Sequence, residues 1–155
     1  MADTTPAPQA NMFDLPTEGD EEWGRVPRWP RYWVSTYGRV YSEPKVAKGA
    51  GGAPGGLMSP APQGQGYLQI TLQRAYTKVG RTVHSLVMEV HGPQPSSPQH
   101  NIINHIDGDK QNNRLGNLEW VTKAENRLHG ALLQVAKDKG KDTTLNQIKA
   151  WINHA

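Results

Sequence analysis

Residues 104–130, NHIDGDKQNNRLGNLEWVTKAENRLHG, constrain the fold more than any other stretch of this chain. Ile102, Ile103 and Ile106 surround the first histidine and predict a strand, and DGDKQNNRLGN is a loop dense in turn-forming residues. Leu118–Val121 reads as a second short strand. Thr122 and Glu125 have the spacing of a capping box, in which the two side chains satisfy free backbone amides at a helix start. The helix that follows is expected to run through Ala131, Leu132 and Val135 to Asp138. Strand, long polar loop, strand and helix, in that order, put polar residues at the junctions.

The upstream chain divides by texture. Residues 1–21 read as a disordered acidic tail. Residues 22–43 form a Trp/Arg-rich module, with Tyr37-Gly38 as a turn and Arg39–Ser42 as a short strand. Residues 44–66 are too rich in Gly and Pro to pack regularly and read as a linker. Tyr67–Gln73 alternates, with Leu68, Ile70 and Leu72 on one face, as a half-buried strand does. Thr82 then has the position of an N-cap for a helix that buries Val83, Leu86, Val87 and Val90, and Gly92-Pro93 ends it. The core unit therefore spans residues 67–139. Residues 140–155 follow it as a helical segment around Leu145, Ile148, Trp151 and Ile152. The fold class expected is α+β.

Charge points to the partner. The first 22 residues hold six acids and no Lys or Arg, and setting those acids aside leaves 17 basic and 8 acidic residues, a net +9. A body this basic suits a polyanion, nucleic acid first. With no cysteine in the chain, disulfides and thiolate metal sites are excluded, so a metal would rest on His, Asp, Glu or Asn. No apolar run approaches the ~20 residues of a membrane span, and the chain reads as cytoplasmic.

Hydrolysis of a phosphodiester needs a base for the water and a cation for the charge that develops on phosphate. His105 suits the first task, because imidazole titrates near neutral pH. Asn104 and Asn126 offer carbonyl oxygens to a hard cation that keeps most of its waters. Taken alone, His105 is as consistent with a structural histidine and Asn126 with local hydrogen bonding at a helix start.

The spacing of these residues resembles the HNH endonuclease family, in the branch common among phage and intron-encoded nucleases. The matching positions are Asn104-His105-Ile106-Asp107-Gly108, Asn112-Asn113, Asn117-Leu118-Glu119-Trp120-Val121-Thr122, Glu125-Asn126 and His129. Val83-His84-Ser85-Leu86-Val87 resembles an element that precedes this core. Trp33-Val34-Ser35, with Tyr37-Gly38-Arg39-Val40-Tyr41-Ser42, resembles a small DNA-contacting module often found upstream.

The resemblance implies a ββα-metal finger behind a small β-rich DNA-contacting module and a Gly/Pro-rich linker. His105 would be the general base, Asn117 would hold the long loop, and Asn104 and Asn126 would ligate one divalent ion. Two neutral amides at positions 104 and 126, where many relatives carry Asp or His, favour Mg2+ or Mn2+ over Zn2+.

Double-stranded DNA is the implied partner, bound by a monomer with no small-molecule cofactor, in a phage or prophage setting. Lys110, Arg114, Lys123, Arg127, His84, His129, Arg31 and Arg39 are the candidate DNA contacts. The competing reading is a non-catalytic DNA-binding protein that keeps the finger as a scaffold.

Overall fold

The computed structural model describes residues 15–45 and 52–138. These residues form nine strands and two α-helices, and the strands lie in three antiparallel sheets. The first sheet joins β1 (Trp23–Arg25), β2 (Tyr32–Ser35), β3 (Val40–Ser42) and β4 (Gly56–Leu57) in that order. The second joins β5 (Ala61–Gln63), β6 (Tyr67–Arg74) and β7 (Thr77–Thr82). β8 (Ile102–His105) pairs with β9 (Leu118–Val121), and the helices are α1 (Val83–Val90) and α2 (Lys123–Asp138).

The α+β class and the strand, loop, strand, helix order of the finger are as expected from the sequence. Each element has a local cause. Alternation in β6 buries Ile70 and Leu72 while Thr71 stays exposed. The capping box at the start of α2 forms in full. The Glu125 carboxylate accepts from Thr122 N at 2.8 Å, and the Thr122 hydroxyl accepts from Glu125 N at 3.2 Å. Thr82 occupies the N-cap of α1, but its hydroxyl makes no capping bond; it faces the His84 ring, 3.3 Å from Nε2.

One hydrophobic core unites the described residues. Val26, just after β1, and Tyr32, Val34 and Val40 of the first sheet meet Ile70 and Leu72 of β6, the buried face of α1, and Leu118 of β9. Val83, Leu86 and Val87 of α1 are fully enclosed, so this helix is the hub on which the upstream module and the finger both pack. The Tyr32 hydroxyl ties the two regions further, accepting from Gln73 N at 2.8 Å.

The structure departs from the sequence reading in three places. β7 went unforeseen because its hairpin turns on Ala75-Tyr76, with Ala75 at φ 49°, and lacks the Asn-Gly or Asp-Gly pair that marks such turns. The expected linker contains β4 and β5, each short and each at a sheet edge, where Gly and Pro are tolerated. The end of the expected tail is built into the fold: Leu15 and Glu21 are buried, and Glu21 pairs with Arg39. The remainder of that tail and the helical segment of residues 140–155 lie outside the described residues. No helix among the described residues is long and apolar enough to cross a membrane.

Candidate active site

β8, the loop after it and the first turns of α2 enclose a cleft of about 450 Å³. Asn104, His105, Lys110, Asn126 and His129 all line it, so the proposed base and both proposed ligands share one space. Antiparallel register explains half of this convergence, since it sets Asn104 opposite Glu119 and His105 opposite Leu118. Helical geometry explains the rest. Asn126 and His129 stand three residues apart on α2, which brings both to the side that crosses the strands.

His105 is buried, and three side chains fix its ring. Its Nε2 lies 3.0 Å from Asn113 Oδ1. The Tyr67 ring is tilted at 5.8 Å between centroids, and His84 meets it edge to face at 5.2 Å. Asn113 was legible in the sequence only as half of an Asn-Asn pair, and nothing in its spacing reveals that it reaches the histidine.

Asn104 is held from both ends. Its amide NH2 donates to Glu119 Oε1 at 3.0 Å, and its Oδ1 lies 2.9 Å from His129 Nδ1. A carboxylate only accepts, so the amide orientation follows, and His129 Nδ1 must be the donor in the second bond. His129 is therefore a buried support for Asn104 rather than a side chain on an open DNA-facing surface. Glu119 is the functional neighbour that the sequence did not single out; a known β8–β9 register would have shown it.

Among the described residues, no three His, Cys, Asp or Glu side chains gather in a way that could hold a metal. Asn104 and Asn126 bring amide carbonyl oxygens to the cleft, which suit a hard divalent cation that keeps several waters and takes few protein ligands. The cleft fits such an ion weakly held; it does not fit a tetrahedral zinc site.

Asn117 bridges the two ends of the loop. Its Oδ1 accepts from Asp107 N at 3.0 Å, and its NH2 donates to Asp107 Oδ1 and Asn112 O, both at 2.9 Å. Burial raises the Asp107 carboxyl, but hydrogen bonds from Asn112, Asn117 and Asp109 N outweigh it and keep the group ionised below the usual carboxylate range.

The candidate DNA contacts separate by position. Lys110 stands at the cleft, with Nζ 2.8 Å from Gln65 O and 4.7 Å from the Tyr67 ring centre. Lys123 and Arg127 are exposed on α2. Arg114 lies outside the cleft, in a separate groove, stacked 3.9 Å from the Tyr37 ring centre. The Arg31 guanidinium donates to Glu43 O at 2.8 Å. Arg39 is engaged within the protein by Glu18, Glu21 and Pro16 O, so its guanidinium is not presented to a ligand.

His84 is half-buried, and its Nδ1 is enclosed without a hydrogen-bond partner. Burial, with the charge of His105 beside it, pushes its pKa down to about 4. The native state thus refuses a proton that the unfolded chain accepts below pH ~6.5. Stability from this group is complete above that pH and falls as the pH drops toward 4. We expect a loss of about 1–2 kcal/mol across that window, allowing for partial exposure. Chemical denaturation of the parent and of His84→Phe at pH 7 and pH 4.5 measures it; equal pH dependence in both would refute the assignment.

A strand pair and a crossing helix thus bring a buried histidine and two asparagines to one cleft. Residues 81–128 match the family model of the HNH endonucleases. Two uncharacterized HNH endonucleases of Acanthamoeba polyphaga mimivirus are similar. L245 is 30% identical over 98 residues, 63% of this chain and 26% of that protein. L247 is 30% identical over 92 residues, 59% of this chain and 21% of that protein. The chain thus spans about a quarter of the length of these relatives. The structure of DNA binding and cleavage by the HNH homing endonuclease I-HmuI matches with a TM-score of 0.53 and 28% identity, covering 77% of this chain and 68% of that one. In residues 81–128 and in its fold the chain is thus similar to HNH endonucleases.

Proposed function

We propose that the protein is a DNA endonuclease that hydrolyses phosphodiester bonds, with His105 as general base and one divalent ion, Mg2+ or Mn2+, held by Asn104 and Asn126. The observation that carries this reading is the shared cleft, in which His105, Asn104 and Asn126 converge beside Lys110. Asn113 occupies Nε2 of His105, which leaves Nδ1 as the nitrogen able to take a proton from water. When bound, the ion would neutralise charge developing on the scissile phosphate and on the leaving oxygen. His129 and Glu119 keep the Asn104 amide in one orientation, and Asn117 keeps the loop after β8 closed. Lys110 at the cleft, with Lys123 and Arg127 on α2, provides positive charge for the DNA backbone.

A single finger supplies one reaction centre, so a monomer acting on double-stranded DNA is expected to nick. The viral relatives agree with a virus-borne gene, such as a phage or prophage gene expressed in the host cytoplasm.

A supercoiled-plasmid assay with Mg2+, with Mn2+ and with EDTA tests the reading. Open circles that form only with metal would support it. A salt-sensitive gel shift with no cleavage in either metal would replace it with the DNA-binding scaffold, in which two amide ligands fail to hold an ion that works.

A further inference from the structure

We infer that Asn113 is the positioning residue for His105, and that the turn of the upstream module holds Asn113 in place. The inference rests on His105 as the base and adds to it. Hydrogen-bonding capacity alone sets the direction of the contact. Asn113 Nδ2 lies 3.1 Å from the Gln111 carbonyl oxygen, which can only accept, so the amide nitrogen must face Gln111. Asn113 Oδ1 therefore faces His105, and Nε2 at 3.0 Å must carry the proton. Both residues are buried, at 4% exposure each, so water does not replace the bond. The ring is locked with Nε2–H toward the protein and Nδ1 toward the cleft, and an imidazolium formed after proton uptake keeps the same bond.

Asn113 is fixed in turn from the first sheet. Gly38, at φ +79°, lies so close that a Cβ built on it would stand 2.8 Å from Asn113 Cβ and 2.9 Å from its carbonyl oxygen. Next to that contact, Arg114 stacks on Tyr37, and one residue further Leu115 N donates to Thr36 O at 2.8 Å. Three consecutive residues of the module turn thus back three consecutive residues of the finger loop. The segment that resembles a DNA-contacting module also serves as the wall that sets the base.

Imidazole nitrogen NMR of the full chain, beside plasmid nicking, tests this with Asn113→Leu and Asn113→Asp. The parent should show a protected Nε2–H signal for His105, assigned by its loss in His105→Ala. Asn113→Leu should lose that signal and cut about 10- to 100-fold more slowly, with DNA affinity unchanged. Asn113→Asp, which keeps an acceptor, should recover the signal and much of the rate. A folded Asn113→Leu that nicks at the parent rate would overturn the inference, and so would a parent spectrum with the proton on Nδ1. If His105→Ala itself still cuts, the base assignment fails while the Nε2–H result stands on its own.

Discussion

His105→Ala should reduce plasmid nicking by about 10²- to 10⁴-fold, the usual contribution of a positioned general base. The protein should still retard DNA as the parent does. The reasoning separates chemistry from binding. Lys123 and Arg127 lie exposed on α2, and Lys110 is anchored to Gln65 and Tyr67 rather than to the histidine. Removing the imidazole therefore leaves this positive charge where it was. The substitution does strand the buried Asn113 carbonyl, at a cost of about 1–3 kcal/mol, so a melting curve must accompany the assay. A folded His105→Ala protein that nicks within a few-fold of the parent would exclude His105 as the base.

The sequence showed most of the finger because its signals are local. Thr122 and Glu125 announce a helix start through a pairing three residues apart, and α2 begins where they place it. Ile70 and Leu72 reveal their strand by alternation. The site was legible to the extent that a family resemblance supplied Asn104, His105, Asn117 and Asn126, which the fold then gathers around one finger. Contacts between distant segments left no such trace. Glu119 reaches Asn104 only through the β8–β9 register, and Asn113 reaches His105 only because the loop folds back. Arg39 looked like a phosphate ligand among aromatics, yet burial of Glu21 demands a cation, and Arg39 is the one that meets it. Burial raises the Glu21 carboxyl, and the hydrogen bonds from Arg39 and Ser35 more than offset this.

Gly38→Val should destabilise the protein by about 3 kcal/mol and slow nicking through a residue that touches no part of the cleft. Two costs add. The backbone at φ +79° is ordinary for glycine and strained for a β-branched residue, worth about 1–3 kcal/mol. The new Cβ would also meet Asn113 at its Cβ, its carbonyl carbon and its carbonyl oxygen, all within 3.1 Å, and backbone does not yield as a flexible side-chain tip does. Relief can come only by moving the turn or by moving Asn113. Movement of the turn disturbs Val34 and Val40, which are fully buried on the adjoining strands. Movement of Asn113 loosens the bond to His105 Nε2. Thermal melting should show a fall of about 10 °C for a domain of this size. Nicking measured well below the melting point should still be impaired, with DNA retardation preserved. If the variant melts early yet nicks normally in the cold, the turn serves stability alone, and the link from upstream module to His105 is broken at Gly38. If it melts like the parent, the close packing of Gly38 on Asn113 is itself wrong.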